Sequence, residues 1–262
     1  MLSDVQKLLS GHPWQDKIQY FSSIDSTNTY AKKLALEGAV EGTVILAGQQ
    51  TGGRGRLGRS FSSPAGMGIY LSLILRPDCP PQQLMHLTCA AGVAAAMAVA
   101  KFSGKNPGIK WTNDLVLGKR KLGGILTELS VDPVSKKVAW AVVGIGINCC
   151  QTSTDFPEEI RQIACSLGLQ QQAVAGLTAE LIRGLFEMRC GLFTEKEALM
   201  DAFRGRCVTI GQEISILRGD QISHAKALGV DDDGGLEVVL DNGEKTTVTS
   251  GEVSIRGMYG YL

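Results

Sequence analysis

The chain has 262 residues, and its 26 lysines plus arginines balance 26 aspartates plus glutamates, giving a formal net charge of zero. That length buries a full core and leaves room for one large and one small domain, while the balance excludes a protein drawn to nucleic acid or membrane by its overall field. The cysteines, Cys79, Cys89, Cys149, Cys150, Cys165, Cys190 and Cys207, are odd in number and form no C-x-x-C pair. They argue against a disulfide framework or a structural zinc site and point to a reducing cytoplasm.

In chain order, residues 1–16 read as a short helix and a turn closed by Gly11 and Pro13, with neither a signal-peptide pattern nor the length of a DNA-reading module. Residues 17–24 alternate, Ile18 and Tyr20 against Gln19 and Phe21, and predict the first strand. Asp25-Ser26-Thr27-Asn28 stands between that strand and a helical stretch with Tyr30, Leu34 and Ala35 on one face. Asp or Ser is a natural N-cap there, and four small polar groups in a row also suit the polar head of a ligand. Residues 43–48 form a second strand that delivers Gln50.

Residues 49–64 need the most chemical explanation, because Arg54, Arg56 and Arg59 alternate with Gly53, Gly55 and Gly58. The glycines let the backbone wrap closely around a ligand while the guanidinium groups supply fixed positive charge. By letter the stretch satisfies G-x-G-x-x-G and nearly a P-loop, but both need a helix to begin at the glycines. Here residues 69–75 follow with strand-like alternation, so the element is a long strand-loop-strand connection of the kind that is functional or disordered. A solvated basic loop is the plainer alternative.

Arg76-Pro77 and Pro80-Pro81 break the chain before a long alanine-rich helix over residues 82–102, apolar nearly all round and therefore buried against the sheet. Its longest apolar run, residues 90–100, is too short to span a bilayer. Gly118-Lys119-Arg120 then forms a tight turn that puts Asn113 and Asp114 on one limb of a hairpin and Lys121 on the other. Lys121 sits beside Gly123-Gly124, and paired glycines in a strand often mark the close approach of a ligand or another backbone. Residues 137–148 read as a central strand ending on Asn148, and residues 178–192 and 195–204 as core helices. From residue 206 short strands are expected at 208–210, 213–217, 225–230, 236–240, 245–248 and 252–255, a small β-barrel. Its Asp231-Asp232-Asp233 triplet lacks the spacing of a calcium loop.

Assembled, these residues resemble the biotin protein ligases. The matching pieces are Ser26-Thr27-Asn28, Gln50 with residues 53–61 and Ser63-Pro64, Lys110-Trp111-Thr112-Asn113-Asp114, residues 121–126, residues 144–148, and residues 251–256 near the C-terminus. The resemblance implies an α+β fold, with helices packed on a mixed sheet in a class II synthetase-like catalytic domain over residues 1–205 and an SH3-like barrel over 206–262. It implies biotin near Ser26, Thr27, Asn28, Gln50, Arg54, Gly55, Arg56, Lys121 and Gly124. ATP is expected near Arg56, Arg59, Phe61, Lys110, Asn113, Asn148 and Arg256, with Arg56, Lys110 and Lys121 as the catalytic set. Mg²⁺ is the expected cofactor, with ligands unknown, and a carboxylase carrier domain the expected partner. Because the chain begins shortly before Ser26, a ligase without a DNA-binding repressor domain is expected, in the cytoplasm, with a homodimer possible and no nucleic acid or membrane partner. Phe61 stands where the family more often has tryptophan, Thr112 where it usually has proline, and Gly123 where alanine is common. Lipoate or octanoate attachment on the same fold is the rival enzyme reading, and an RNA-binding glycine-arginine loop the rival from another class.

Overall fold

The computed structural model describes residues 1–218, 221–249 and 252–255. Seven strands build the main sheet: β1 (Ile18–Phe21), β2 (Val44–Ala47), β3 (Gly68–Leu75), β4 (Gly108–Lys110), β5 (Asp114–Leu117), β6 (Arg120–Val131) and β7 (Val138–Asn148), in the order β1-β2-β3-β7-β6-β5-β4. Only β1 and β2 pair in parallel, joined by the crossover helix α2 (Thr27–Leu36). The other neighbours pair antiparallel, so the sheet is mixed, as expected.

Both faces of the sheet are covered, which explains why its central strands read as continuous apolar runs. On one face Ala31 and Ala35 of α2 pack with Ile45, Ile74, Trp140 and Val142. On the other, Val44, Leu46, Leu71, Leu73 and Val143 pack under the helices α3 (Leu87–Ser103), α4 (Val174–Gly191) and α5 (Lys196–Arg204), with α1 (Leu2–Leu8) at the edge. Neighbouring residues on one strand thus serve opposite cores, in keeping with the two-residue period. Each buried Leu or Ile contributes about 1.5–3 kcal/mol to this packing.

The alanine-rich stretch starts later than the pattern suggests. A short 3₁₀ turn, Pro81–Leu84, comes first, and α3 begins after His86. By length and composition the segment Pro81–Ser103 would cross a membrane, yet 72% of its most apolar window is buried inside the protein, so it is a core helix.

His86 itself is fully buried; its Nε2 bonds the Leu192 carbonyl at 2.8 Å, and its Nδ1 meets no partner among the described residues. Burial pushes the imidazole below its ordinary pKa, and the nearby Lys196 charge works the same way, against the Leu192 carbonyl and Asp233. The folded form therefore keeps His86 neutral where the unfolded chain would already take up a proton. Stability should be complete above about pH 6.5 and fall on acidification, by at most about 1.4 kcal/mol per pH unit. Thermal melts of the wild type and His86→Gln between pH 7.5 and 5.5 check this; the variant should show the shallower fall.

The C-terminal strands β8 (Glu213–Arg218), β9 (Gln221–Val230), β10 (Leu236–Leu240), β11 (Lys245–Val248) and β12 (Glu252–Ile255) form an antiparallel sheet in the order β11-β10-β9-β8-β12. Asp231 closes the β9–β10 turn, its Oδ1 accepting from the amides of Asp233 at 2.9 Å and Gly235 at 2.7 Å. Asp231 is therefore turn chemistry, while Asp232 pairs with Arg204 and Asp233 with Lys196. Residues 208–210 are a correction: they form a turn, not a strand of the small sheet. Residues 206–208 dock on β4 instead, with Ile109 N bonded to Arg206 O at 2.8 Å and Val208 N to Ile109 O at 2.9 Å.

Candidate active site

The long connection between β2 and β3 stays anchored at its base, where Gly66 N meets Gly48 O at 2.9 Å, and folds over the sheet. Beneath it lies a cleft that opens to solvent. Its floor is β7, β6 and β5, and one wall is the start of α2.

At the α2 end, Ser26 caps the helix, its Oγ accepting from Thr29 N at 3.4 Å. Gln50 Oε1 accepts from Thr27 N at 2.9 Å and Thr27 Oγ1 at 3.0 Å, while Gln50 Nε2 donates to Ser63 Oγ at 2.9 Å. Ser72 Oγ, fully buried, lies 2.8 Å from Thr27 Oγ1 and 2.6 Å from Asn28 Oδ1. The small-polar junction and Gln50 therefore form one connected network, with Ser26, Thr27, Asn28 and Gln50 all facing the cleft.

The floor is low because β7 carries glycine where it faces inward. A Cβ on Gly144 would stand 2.1 Å from Asn28 Oδ1, and one on Gly146 would stand 2.5 Å from the Phe61 ring. Phe61 lies over Gly146 and meets Tyr70 edge-on, ring centres 6.5 Å apart at 71°. Gly123 approaches a backbone, its Cβ position 2.3 Å from Gly146 O, whereas Gly124 borders the ends of Asp114 and Lys121. The paired glycines thus serve both a neighbouring strand and the cleft.

At the other end the tight turn works as the spacing predicts, pairing Val116 with Lys121 and Leu117 with Arg120. Lys121 Nζ reaches Asp114 Oδ1 at 2.7 Å, and Asn113 Nδ2 is held by Ile125 O at 3.1 Å. Arg56 crosses the opening to donate to Asn113 Oδ1 at 2.8 Å. The loop therefore spans the cleft, with Arg56 half-buried and Arg54 and Arg59 exposed.

Among the described residues, those lining the cleft bring five basic side chains, Arg54, Arg56, Arg59, Lys110 and Lys121, against one carboxylate, Asp114. Such a balance suits a polyphosphate. Among the described residues no three His, Cys, Asp or Glu side chains gather as a metal site.

Of the residues singled out in the sequence, Ser26, Thr27, Asn28, Gln50, Arg54, Gly55, Arg56, Arg59, Phe61, Lys110, Asn113, Lys121 and Gly124 line this one cleft. Asn148 does not. It follows Gly144 and Gly146 on the same face of β7, but its Nδ2 donates to Cys165 O at 3.0 Å and its Oδ1 accepts from Gln151 Nε2 at 3.2 Å. Its amide anchors the chain that returns to pair with Lys121, where Lys121 N bonds Ile163 O at 2.7 Å and Cys165 N bonds Lys121 O at 2.8 Å. Arg256 lies outside the described residues. Trp111, Asp114, Gly144 and Gly146 belong to the lining without having been singled out as site residues. Trp111 also ties the cleft to the small sheet, its Nε1 donating to Gly234 O at 2.8 Å and its backbone N to Thr209 Oγ1 at 2.9 Å.

Comparison with known proteins matches residues 20–148 to the biotin/lipoate A/B protein ligase family and residues 209–256 to the biotin protein ligase C-terminal domain. The bifunctional ligase/repressor BirA of Bacillus spizizenii is 36% identical over 234 residues, covering 86% of this chain and 70% of that protein. The biotin--[acetyl-CoA-carboxylase] ligase of Mycobacterium tuberculosis is 32% identical over 254 residues, covering 94% and 90%. The biotin protein ligase from Aquifex aeolicus in complex with biotin and ATP superposes with a TM-score of 0.74 at 27% identity, covering 91% of this chain and 98% of that one. The chain belongs to the biotin/lipoate A/B protein ligase family, among its biotin protein ligases.

Proposed function

We propose that this cleft activates biotin with ATP, forming biotinyl-5'-AMP and pyrophosphate, and passes the biotinyl group to a lysine of a carboxylase carrier domain. The observation that carries the reading is one continuous cleft with a neutral polar network at its α2 end and five basic side chains over the rest. The first suits a neutral hydrogen-bonding head, the second a carboxylate meeting a triphosphate. The C-terminal domain match at residues 209–256 favours biotin over lipoate.

A carboxylate is a poor acyl donor. Its oxygen must first bond the α-phosphorus of ATP as the bond to the pyrophosphate oxygen breaks, after which the carrier amine attacks the acyl carbon and AMP leaves. The first step needs crowded negative charge neutralised and the attack aligned, which positioned cations do without a protein nucleophile. Lys121 and Arg56 are assigned to the charge that develops where carboxylate meets phosphate, with Lys110, Arg59, Asn113 and Phe61 on the nucleotide side. The lone cleft carboxylate, Asp114, fits a Mg²⁺ brought in on the triphosphate, an ion held by one or two carboxylates plus phosphates that would offset phosphate charge. Residues 1–205 carry this chemistry and residues 206–262 support it. The seven cysteines, all free, suit the cytoplasm.

The mixed anhydride hydrolyses in water, so a loop that closes over it has a purpose. Arg56→Ala removes the contact to Asn113 across the opening. That variant should release its adenylate and label bystander lysines on an added inert protein by at least about tenfold over wild type, the scale of one lost charge-assisted hydrogen bond. Labelling at the wild-type level would remove Arg56 from this role. The whole reading is tested by incubating the enzyme with ATP, biotin and a purified carrier domain; mass spectrometry should find biotin on one carrier lysine and none when ATP is withheld. A carrier left unmodified by biotin but modified by lipoate would overturn the reading.

A further inference from the structure

Glu128 sits in the middle of β6 and does not line the cleft, yet three side chains from two elements, α2 and the β2–β3 loop, converge on it. Its Oε1 accepts from Lys32 Nζ at 2.7 Å and from Arg54 Nη1 at 3.3 Å, and its Oε2 accepts from Asn28 Nδ2 at 3.0 Å. Its side chain is only 23% exposed. Burial by itself would raise its pKa, but the hydrogen bonds from Lys32 and Asn28 and the Lys32 and Arg54 charges outweigh burial, holding it below the ordinary carboxylate range and ionised at neutral pH.

Two parts of the site depend on this carboxylate. A carboxylate only accepts, so it orients Asn28 with its NH₂ group outward to Glu128 and Leu126 O, the latter at 3.2 Å. That turns Asn28 Oδ1 toward Ser72 and over Gly144. The second part is Arg54, which brings the first limb of the loop down onto β6, while Arg56 ties the middle of the loop to Asn113. The loop is thus pinned on both sides of the cleft, and Glu128 is the pin on the α2 side.

We propose that Glu128 is a positioning residue for ligand capture, a latch that holds the first limb of the glycine-arginine loop through Arg54 and fixes the acceptor direction of Asn28 through its amide. The proposal rests on the biotin-activating reading for what is captured. Glu128 acts through its partners, so its loss changes how well the loop stays down and how tightly the ligand is held, not the chemical step.

Glu128→Gln keeps the shape and removes the charge. In the ligand-free variant, trypsin should cut after Arg56 and Arg59 about fivefold faster than in the wild type, the scale of one partly exposed ion pair. In biotin-dependent pyrophosphate exchange its KM for biotin should rise by at least about fivefold while kcat stays within about twofold. Arg54→Met, which cuts the latch from the loop side, should reproduce the faster cleavage after Arg56 and Arg59. Wild-type cleavage rate and KM in folded Glu128→Gln, or a fall in kcat at unchanged KM, would overturn the proposal. If Glu128→Gln does not fold, Arg54→Met decides alone, and unaltered cleavage in it overturns the latch. A wild-type enzyme without biotin-dependent exchange would remove the functional reading, while the cleavage comparison would still decide whether Glu128 holds the loop.

Discussion

Lys121→Ala should slow adenylate formation by about 100- to 1000-fold at saturating biotin and ATP, the usual cost of removing one donor aimed at developing negative charge. Lys121 is the second residue of β6, and its Nζ lies 2.7 Å from Asp114 Oδ1 beside Gly124. Removing it subtracts a cation from the cleft and also exposes Asp114 to the incoming phosphates, two changes of the same sign. The fold should survive, because the Lys121 side chain is 32% exposed and such a pair is worth about 0–1 kcal/mol. Single-turnover measurement of pyrophosphate release checks it. A normal first half-reaction in a folded variant would take Lys121 out of the mechanism.

Gly144→Ala should weaken biotin binding by about 100-fold or more and destabilise the protein by about 1–3 kcal/mol. Gly144 pairs with Ser72 on β3 and with Leu126 on β6, so ladders on both sides fix its backbone. The new methyl would lie 2.1 Å from Asn28 Oδ1 and 2.8 Å from its Cγ, and Asn28 must swing away. That breaks its bonds to Leu126, Glu128 and Ser72 together. Calorimetric titration with biotin, alongside a thermal melt, separates the two effects. Unchanged affinity would show that Asn28 does not hold the ligand.

The sheet was legible because its signals are local. Alternation in residues 17–24, the Gly118-Lys119 turn and the branched apolar run ending at Asn148 each name a strand without help from the rest of the chain. Residues 208–210 misled because Val208-Thr209-Ile210 is too short for a period to be read; contact with β4 decides their conformation. The cleft was legible where glycine alternates with arginine and where a lysine precedes paired glycines, since core packing gives no reason for a charged side chain at those places. Asn148 shows the opposite case, a polar residue ending a buried strand whose amide is taken by a return of the chain 17 residues on. Glu128 lies beyond sequence reading altogether, because its partners are 74, 96 and 100 residues away and its own surroundings read as an ordinary strand.

The central claim is that the cleft joins the carboxylate of biotin to AMP before any carrier protein is involved. Exchange of labelled pyrophosphate into ATP, with Mg²⁺ present, carrier absent, and biotin and lipoate supplied in parallel, tests it most directly. The structure and its relatives predict exchange that depends on biotin and is absent with lipoate. Exchange with lipoate alone, or with neither in a folded sample, would contradict the assignment.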